Sequence, residues 1–493
     1  MASLVSLPCE ILFQIFRDSS PQELCRLSYT CKRLEAVAGT CLWSEIELHE
    51  RGYHESSSEL SEPPPFRPNK RFYHGSKRVG LQSDIEERAR KHFTSLQTLH
   101  THNKERLKEL AGRVKSICTV VEPTWHPGHD GLSNFISVWN LLPYFTNLES
   151  LEIHGRPEAF KWHNTPRPEI SAPPLSKLRF AKLFGYIPKP VATYILRSDT
   201  MLERLELGIL DAPIPSAVGI RLEDDQNRDR WEVNARSVVP RSLGDFFPDI
   251  PPSFPKLRHI YLCQPCNPHG DYFDQSDAWS ISAEQACLET WRRLLSASSQ
   301  TLETLVLEQR PGAGMEENEG FSEEEFLNTG ISGAGNKAIV EVLGVSLIQK
   351  TAFPSLKQVC LYGFVAKSRA RGRSTQETPG EWLMHGLERR GVTCEARRGK
   401  WCLFDQDTGV APWAKWDGEG VSNIHDGYMG IRWYTLLAKE KVLRNNTPKY
   451  LHKEMAHLIV DMEETSKATE LRILECITRW AKNRELAPGY VPN

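Results

Sequence analysis

One short pattern recurs through the middle of the chain and narrows the fold more than any other feature. Six segments read Leu-x-x-Leu-x-Leu, with Ile, Val or Ala as variants: Leu148-x-x-Leu151-x-Ile153, Leu178-x-x-Ala181-x-Leu183, Leu202-x-x-Leu205-x-Leu207, Leu257-x-x-Ile260-x-Leu262, Leu302-x-x-Leu305-x-Leu307 and Leu356-x-x-Val359-x-Leu361. Val114-Lys115-Ser116-Ile117 is a weaker seventh. In a strand, positions two apart face one side, so the last two apolar residues of each segment share a face. The first lies in the preceding turn. Residues 132–142, 190–198, 283–298 and 336–349 have helical apolar spacing, so helix, turn and short strand recur in that order. One such unit cannot bury its apolar face alone, but stacked units can. The expectation is an α/β solenoid over residues 113–365, with short parallel strands on one side and helices outside.

This pattern resembles the leucine-rich repeat family in a degenerate form. Successive first positions lie 30, 24, 55, 45 and 54 residues apart, longer and less even than regular repeats. The family's asparagine after the strand is mostly missing. Insertions are expected at 211–253 and 310–335. Residues 366–493 comprise a basic loop at 366–400, a Trp-rich segment holding Trp401, Trp413, Trp416 and Trp433, and helices at 434–444, 449–463 and 466–485. Residues 401–493 are expected to close the solenoid's open end as a C-terminal cap, because a terminal unit needs covering.

The N-terminus has a different texture. Leu7-Pro8-Cys9-Glu10-Ile11-Leu12-Phe13-Gln14-Ile15-Phe16 reads as a short helix with proline in its first turn. Ile11, Leu12, Ile15 and Phe16 give it a strongly apolar face. Ser20-Pro21-Gln22-Glu23 is a capping box opening a second helix through Leu24 and Leu27. A third helix starts near Thr30 or Cys31 and carries Leu34, Val37, Ala38, Cys41 and Leu42, with Trp43, Ile46 and Leu48 behind it. A module of about 45 residues is near the lower size limit for independent stability. Its surplus apolar surface has two open destinations, the rest of the chain or a partner.

The ordered run Leu7-Pro8-x-Glu10-Ile11-Leu12-x-x-Ile15-Phe16, Leu24-x-x-Leu27, Cys31-Lys32-Arg33-Leu34 and Leu42-Trp43 resembles the F-box motif. That resemblance implies a small three-helix domain, residues 1–48, that binds a Skp-type adaptor and through it a cullin–RING ubiquitin ligase. It implies a contact set of Leu7, Pro8, Glu10, Ile11, Ile15, Leu24, Leu27, Cys31, Leu34 and Trp43. Leu34 departs from the tryptophan common after Cys-Lys-Arg. The function implied is a substrate-recruiting adaptor in protein ubiquitination whose solenoid binds an unknown protein client. The alternative is an F-box scaffold or regulatory protein acting without a cullin ligase.

Between these regions, residues 49–112 read as a Ser/Pro-rich linker followed by one or two helices over 84–111. Net charge is −2 and 40% of the 493 residues are apolar, so nothing global argues for nucleic acid. No apolar stretch suits a secretory signal or a membrane span. Twelve scattered cysteines suit reduced thiols in the cytoplasm or nucleus. Cys263-x-x-Cys266-x-x-His269 has metal-like spacing but no second ligand pair, and His126 and His129 lie in a Pro/Gly loop. The expectation is no metal, no cofactor and no catalytic set.

Overall fold

In this computed structural model the described residues are 4–17, 19–48, 82–121, 136–155, 170–198, 201–215, 238–248, 253–266, 281–313, 334–362, 364, 379–397, 399–400, 402–403 and 423–424. The linker at 49–81, His126, His129 and His269, the four tryptophans named above and the three C-terminal helices fall outside them.

The first three helices are α1 (Cys9–Arg17), α2 (Pro21–Ser28) and α3 (Lys32–Ser44). Strand β1 (Glu45–Leu48) follows α3 without a break. Helices α4 (Gln82–His102) and α5 (Lys104–Ala111) precede β2 (Ser116–Val121) and β3 (Ser150–Gly155). Next come β4 (Phe180–Tyr186), α6 (Lys189–Leu196), β5 (Arg204–Pro215), β6 (Val238–Ser242), β7 (His259–Cys266), α7 (Ile281–Ala297) and β8 (Thr304–Ala313). The chain continues through α8 (Ala334–Ile339), β9 (Gln358–Tyr362), α9 (Pro379–Arg389) and β10 (Thr393–Arg397). Short strands β11 (Gly399–Lys400), β12 (Cys402–Leu403) and β13 (Asn423–Ile424) close the described set.

The main sheet orders its strands β1-β2-β3-β4-β5-β7-β8-β9-β10, all parallel, so space follows sequence. The six Leu-x-x-Leu-x-Leu segments are β3, β4, β5, β7, β8 and β9, and the weak seventh leads into β2. Leu151, Ala181, Leu205, Ile260, Leu305 and Val359 form one row across the strands, and Ile153, Leu183, Leu207, Leu262, Leu307 and Leu361 form the next. Both rows are buried against helix residues such as Val191, Leu288, Trp291, Leu343 and Leu387. The chain is thus mixed α/β, with N-terminal helices and a solenoid-like parallel sheet.

The structure differs from the sequence reading in several places. Strand β1, inside the segment assigned to the N-terminal module, is the first strand of the sheet. Residues 379–397, read as part of a basic loop, form α9 and β10. Leu383, Met384 and Leu387 recur at helical spacing and are buried, and Val392 and Cys394 follow them into the core. Residues 138–144 are a 3-10 turn containing Pro143, which cannot supply the N–H that an α-helix needs there. The one or two helices expected over 84–111 are two, divided at Asn103, whose side chain accepts from the Arg106 N–H at 3.0 Å and caps α5. The 211–253 insertion returns as β6, antiparallel to β5, and Leu243, Phe246 and Phe247 then join the core.

Arg390 shows how a basic residue in that run is used. Its guanidinium donates to the carbonyls of Leu347, Gln349 and Phe353. The helix ending at Leu347 contains a π turn, Val340–Gly344, and its last carbonyls lack intrahelical donors. Arg390→Met is expected to leave the Leu347 carbonyl without its donor, while Gln349 and Phe353 keep the Ala352 and Leu356 N–H groups, and to cost about 1–3 kcal/mol. A chemical denaturation midpoint equal to the wild type's would refute this role.

A close approach at one end of β3 and β4 demands glycine. Gly155 and Gly185 face each other in register, and Gly185 has φ +76°. A Cβ on Gly155 would collide with the Tyr186 carbonyl, and one on Gly185 with the Gly155 carbonyl.

Candidate functional site

In the N-terminal module, Leu12 and Phe16 of α1 meet Leu24, Leu34, Val37 and Ala38 in a small core of their own. The second helix opens on the capping box: the Glu23 N–H donates to Ser20 Oγ at 3.3 Å, and the Ser20 N–H to Glu23 Oε2 at 2.8 Å. The Ser20 N–H and the Ser20 hydroxyl, which also donates to Oε2 at 2.8 Å, hold the Glu23 carboxyl below its ordinary range. Arg33 of α3 donates to the Leu7 carbonyl at 2.6 Å and pins the N-terminal segment across the bundle.

The apolar face read on α1 is split. Residues one apart point about 100° apart round a helix. Leu12 and Phe16 face the core, while Ile11 and Ile15 turn outward, 40% and 45% exposed. Pro8 and Glu10 are exposed beside them. Leu7, Leu27 and Cys31 are half-buried against the small core. Leu24 and Leu34, named for the contact surface by the motif, lie inside that core and support the surface from behind. The motif did not point to Leu4, Val5, Phe13 or Tyr29, all exposed. Phe13 lies off the Ile11/Ile15 stripe and Leu4 and Val5 precede the motif, so helical periodicity could not reveal them. Isolated apolar exposure is ordinary, but these residues are concentrated on a 45-residue module.

Trp43 goes elsewhere. It packs against the large core, with its ring 5.7 Å from that of His92 on α4. Ile46 and Leu48 of β1 are buried in the same core. The surplus apolar surface is therefore divided: Trp43, Ile46 and Leu48 pack into the large core, and Ile11 and Ile15 stay exposed.

Burial pushes His92 down to about 4. Since the unfolded imidazole protonates near 6.5, its stabilising neutrality is intact above that pH and lost as pH falls toward 4. The expected loss over that window is about 3 kcal/mol. Denaturation midpoints between pH 7 and 4.5 should fall more steeply for the wild type than for His92→Phe; parallel curves would refute it.

The sheet face opposite the helices is polar yet buried. Cys118, Glu152, Lys182, Glu206 and Tyr261 share one row across β2, β3, β4, β5 and β7. The Arg204 guanidinium meets Glu206 at 3.0 Å, the Lys182 ammonium sits 5.0 Å from the Phe184 ring centre, and Tyr261 donates to Glu308. Such pairs offset the cost of burying their charges. Cys263 is buried on β7, and Cys266 ends that strand. Among the described residues, no group of three or more His, Cys, Asp or Glu side chains could hold a metal ion. Among them too, no helix is long and apolar enough to cross a membrane.

Comparison with known proteins finds a match over residues 4–49 to the F-box-like family. No curated protein matches the chain. The match covers α1, α2, α3 and β1, and with the geometry above it shows that the chain carries an F-box-like domain at 4–49, continuous with its parallel sheet.

Proposed function

We propose that this chain is the substrate-recruiting adaptor of a Skp–cullin–F-box type ubiquitin ligase. One observation carries the reading: Ile11 and Ile15, four residues apart on α1, are exposed on a module whose own core is already filled. Two isoleucines one turn apart suit an apolar groove on a partner. The F-box-like match supports a Skp-type adaptor as that partner. In this reading Leu7, Pro8, Glu10, Ile11 and Ile15 touch the adaptor, while Leu24, Leu27, Cys31 and Leu34 hold them in place.

The sheet and its helices, read as degenerate leucine-rich repeats, hold a protein client. Ubiquitin transfer takes place on other chains. The contribution of this chain is effective concentration, since client and charged enzyme share one assembly. The working compartment is the cytoplasm or the nucleus.

Mixing the purified full chain with a Skp-type adaptor and a cullin, followed by size-exclusion chromatography, tests this. Co-elution of all three is expected. Adaptor without cullin would favour a scaffold role outside the ligase. Elution of the chain alone would overturn the reading.

A further inference from the structure

A single row of charged residues crosses the solenoid where the strands begin. It reads Lys115, Glu149, Arg179, Glu203, Arg258, Glu303, Lys357, and its sign alternates at every step. From Glu149 to Lys357, each member follows the first leucine of a Leu-x-x-Leu-x-Leu segment. The row is continuous in the backbone: the Glu149 N–H donates to the Lys115 carbonyl at 2.7 Å, Arg179 to Glu149 at 2.8 Å and Glu203 to Arg179 at 2.8 Å. Arg258 then donates to Glu203 at 2.9 Å, Glu303 to Arg258 at 2.8 Å and Lys357 to Glu303 at 2.9 Å.

At four of the six steps an ion pair joins the side chains as well. Lys115 lies 3.9 Å from Glu149, Arg179 2.8 Å from Glu203, Arg258 3.7 Å from Glu303 and Lys357 2.5 Å from Glu303. Lys357 and Arg258 both help hold the Glu303 carboxyl below its ordinary range.

We infer that this alternating row encodes the order in which the strands stack. The need is evident in the sequence. All the strands present nearly the same apolar rows, so leucine packing does not distinguish one neighbour from the next. The spacing between units varies from 24 to 55 residues, so loop length does not enforce order either. A strand that skipped one place would still match its leucines. It would, however, set like charges side by side: Glu149 against Glu203, or Arg179 against Arg258. In parallel strands about 4.8 Å apart, that mismatch falls on immediate neighbours. Natural sheets use charges against wrong pairing in this way.

The test compares three full-length chains with the wild type. Glu203→Arg places like charges on both sides of one strand. A sevenfold variant reverses every member (K115E, E149R, R179E, E203R, R258E, E303R, K357E) and so keeps alternation with opposite sign. Glu203→Gln removes the charge and adds no repulsion. Each is unfolded in denaturant, refolded at low salt and scored for the monomer fraction and melting temperature. For Glu203→Arg we expect a melting temperature lower by about 2–4 °C, and a refolded monomer fraction below that of Glu203→Gln, with both deficits shrinking in 0.5 M salt. The sevenfold variant should refold to the wild-type monomer fraction. If it refolds as poorly as Glu203→Arg, alternation is not the code. If Glu203→Arg refolds as wild type, or only its melting temperature changes, the row does not direct strand order and the inference fails.

Discussion

A chain carrying Ile11→Asp together with Ile15→Lys is expected to lose capture of a Skp-type adaptor while melting like the wild type. Burying an isoleucine is worth about 1.5–3 kcal/mol. Two removed side chains, and two charges put where apolar contacts belong, should cost at least about 3 kcal/mol of binding, or more than about 100-fold in Kd. The fold should not feel the change, since both positions are outward-facing and exposed surface substitutions stay within about 0.5 kcal/mol. Opposite charges four residues apart also support the helix. Leu12→Ala is the contrast. It empties the small core at a cost of about 2–5 kcal/mol, so binding and module stability should fall together. Adaptor capture by the double variant at wild-type strength, measured by calorimetry, would remove Ile11 and Ile15 from the contact surface.

The second large effect concerns the junction. Deleting residues 1–48 is expected to destabilise the whole sheet, whereas deleting residues 1–30 should leave it folded. The longer deletion removes β1, whose four residues pair with Ser116, Ile117, Cys118 and Thr119. It also strips Trp43, Ile46 and Leu48 from the large core. Three such losses amount to about 5–10 kcal/mol, comparable with the whole stability of an ordinary domain. The exposed edge would be β2, buried along its whole length in the intact chain. An unpaired, apolar edge invites aggregation. Light scattering and thermal melting of the two truncations decide it, and a monomeric 49–493 chain with an unchanged transition would contradict it. A pull-down that used the longer deletion as its control would therefore lose clients through unfolding as well as through loss of the adaptor.

Much of this was legible from sequence, because the physics responsible is local. Six strands announced themselves through Leu-x-x-Leu-x-Leu, and Ser20-Pro21-Gln22-Glu23 marked the start of α2 closely. What stayed hidden depends on neighbours distant in the chain. Glu45–Leu48 has only two apolar residues, Ile46 and Leu48, and becomes a strand because β2 lies beside it. Thr393–Arg397 sits in a run dominated by arginine, and its strand forms on the β9 edge. The outward turn of Ile11 and Ile15 follows from where α2 and α3 lie, since periodicity alone groups them with Leu12 and Phe16. Trp43 fits a partner or a core equally well until α4 is placed against it. Glu152, Lys182 and Glu206 alternate with leucines as surface residues would, and only the three-dimensional arrangement reveals them as buried.

The agreement between spatial and sequence order bears on how the chain is made. A ribosome releases Glu45–Leu48 before β2, so their pairing can form as soon as β2 emerges. Each later strand of the main sheet then meets a neighbour that is already in place, and can be added one at a time with no need to hold an unfinished pairing open. The segment Cys402–Leu403 departs from this rule. It pairs with the end of β8, although β9 and β10 were synthesised in between. That contact is a late fastening, made only after the last two units are laid down.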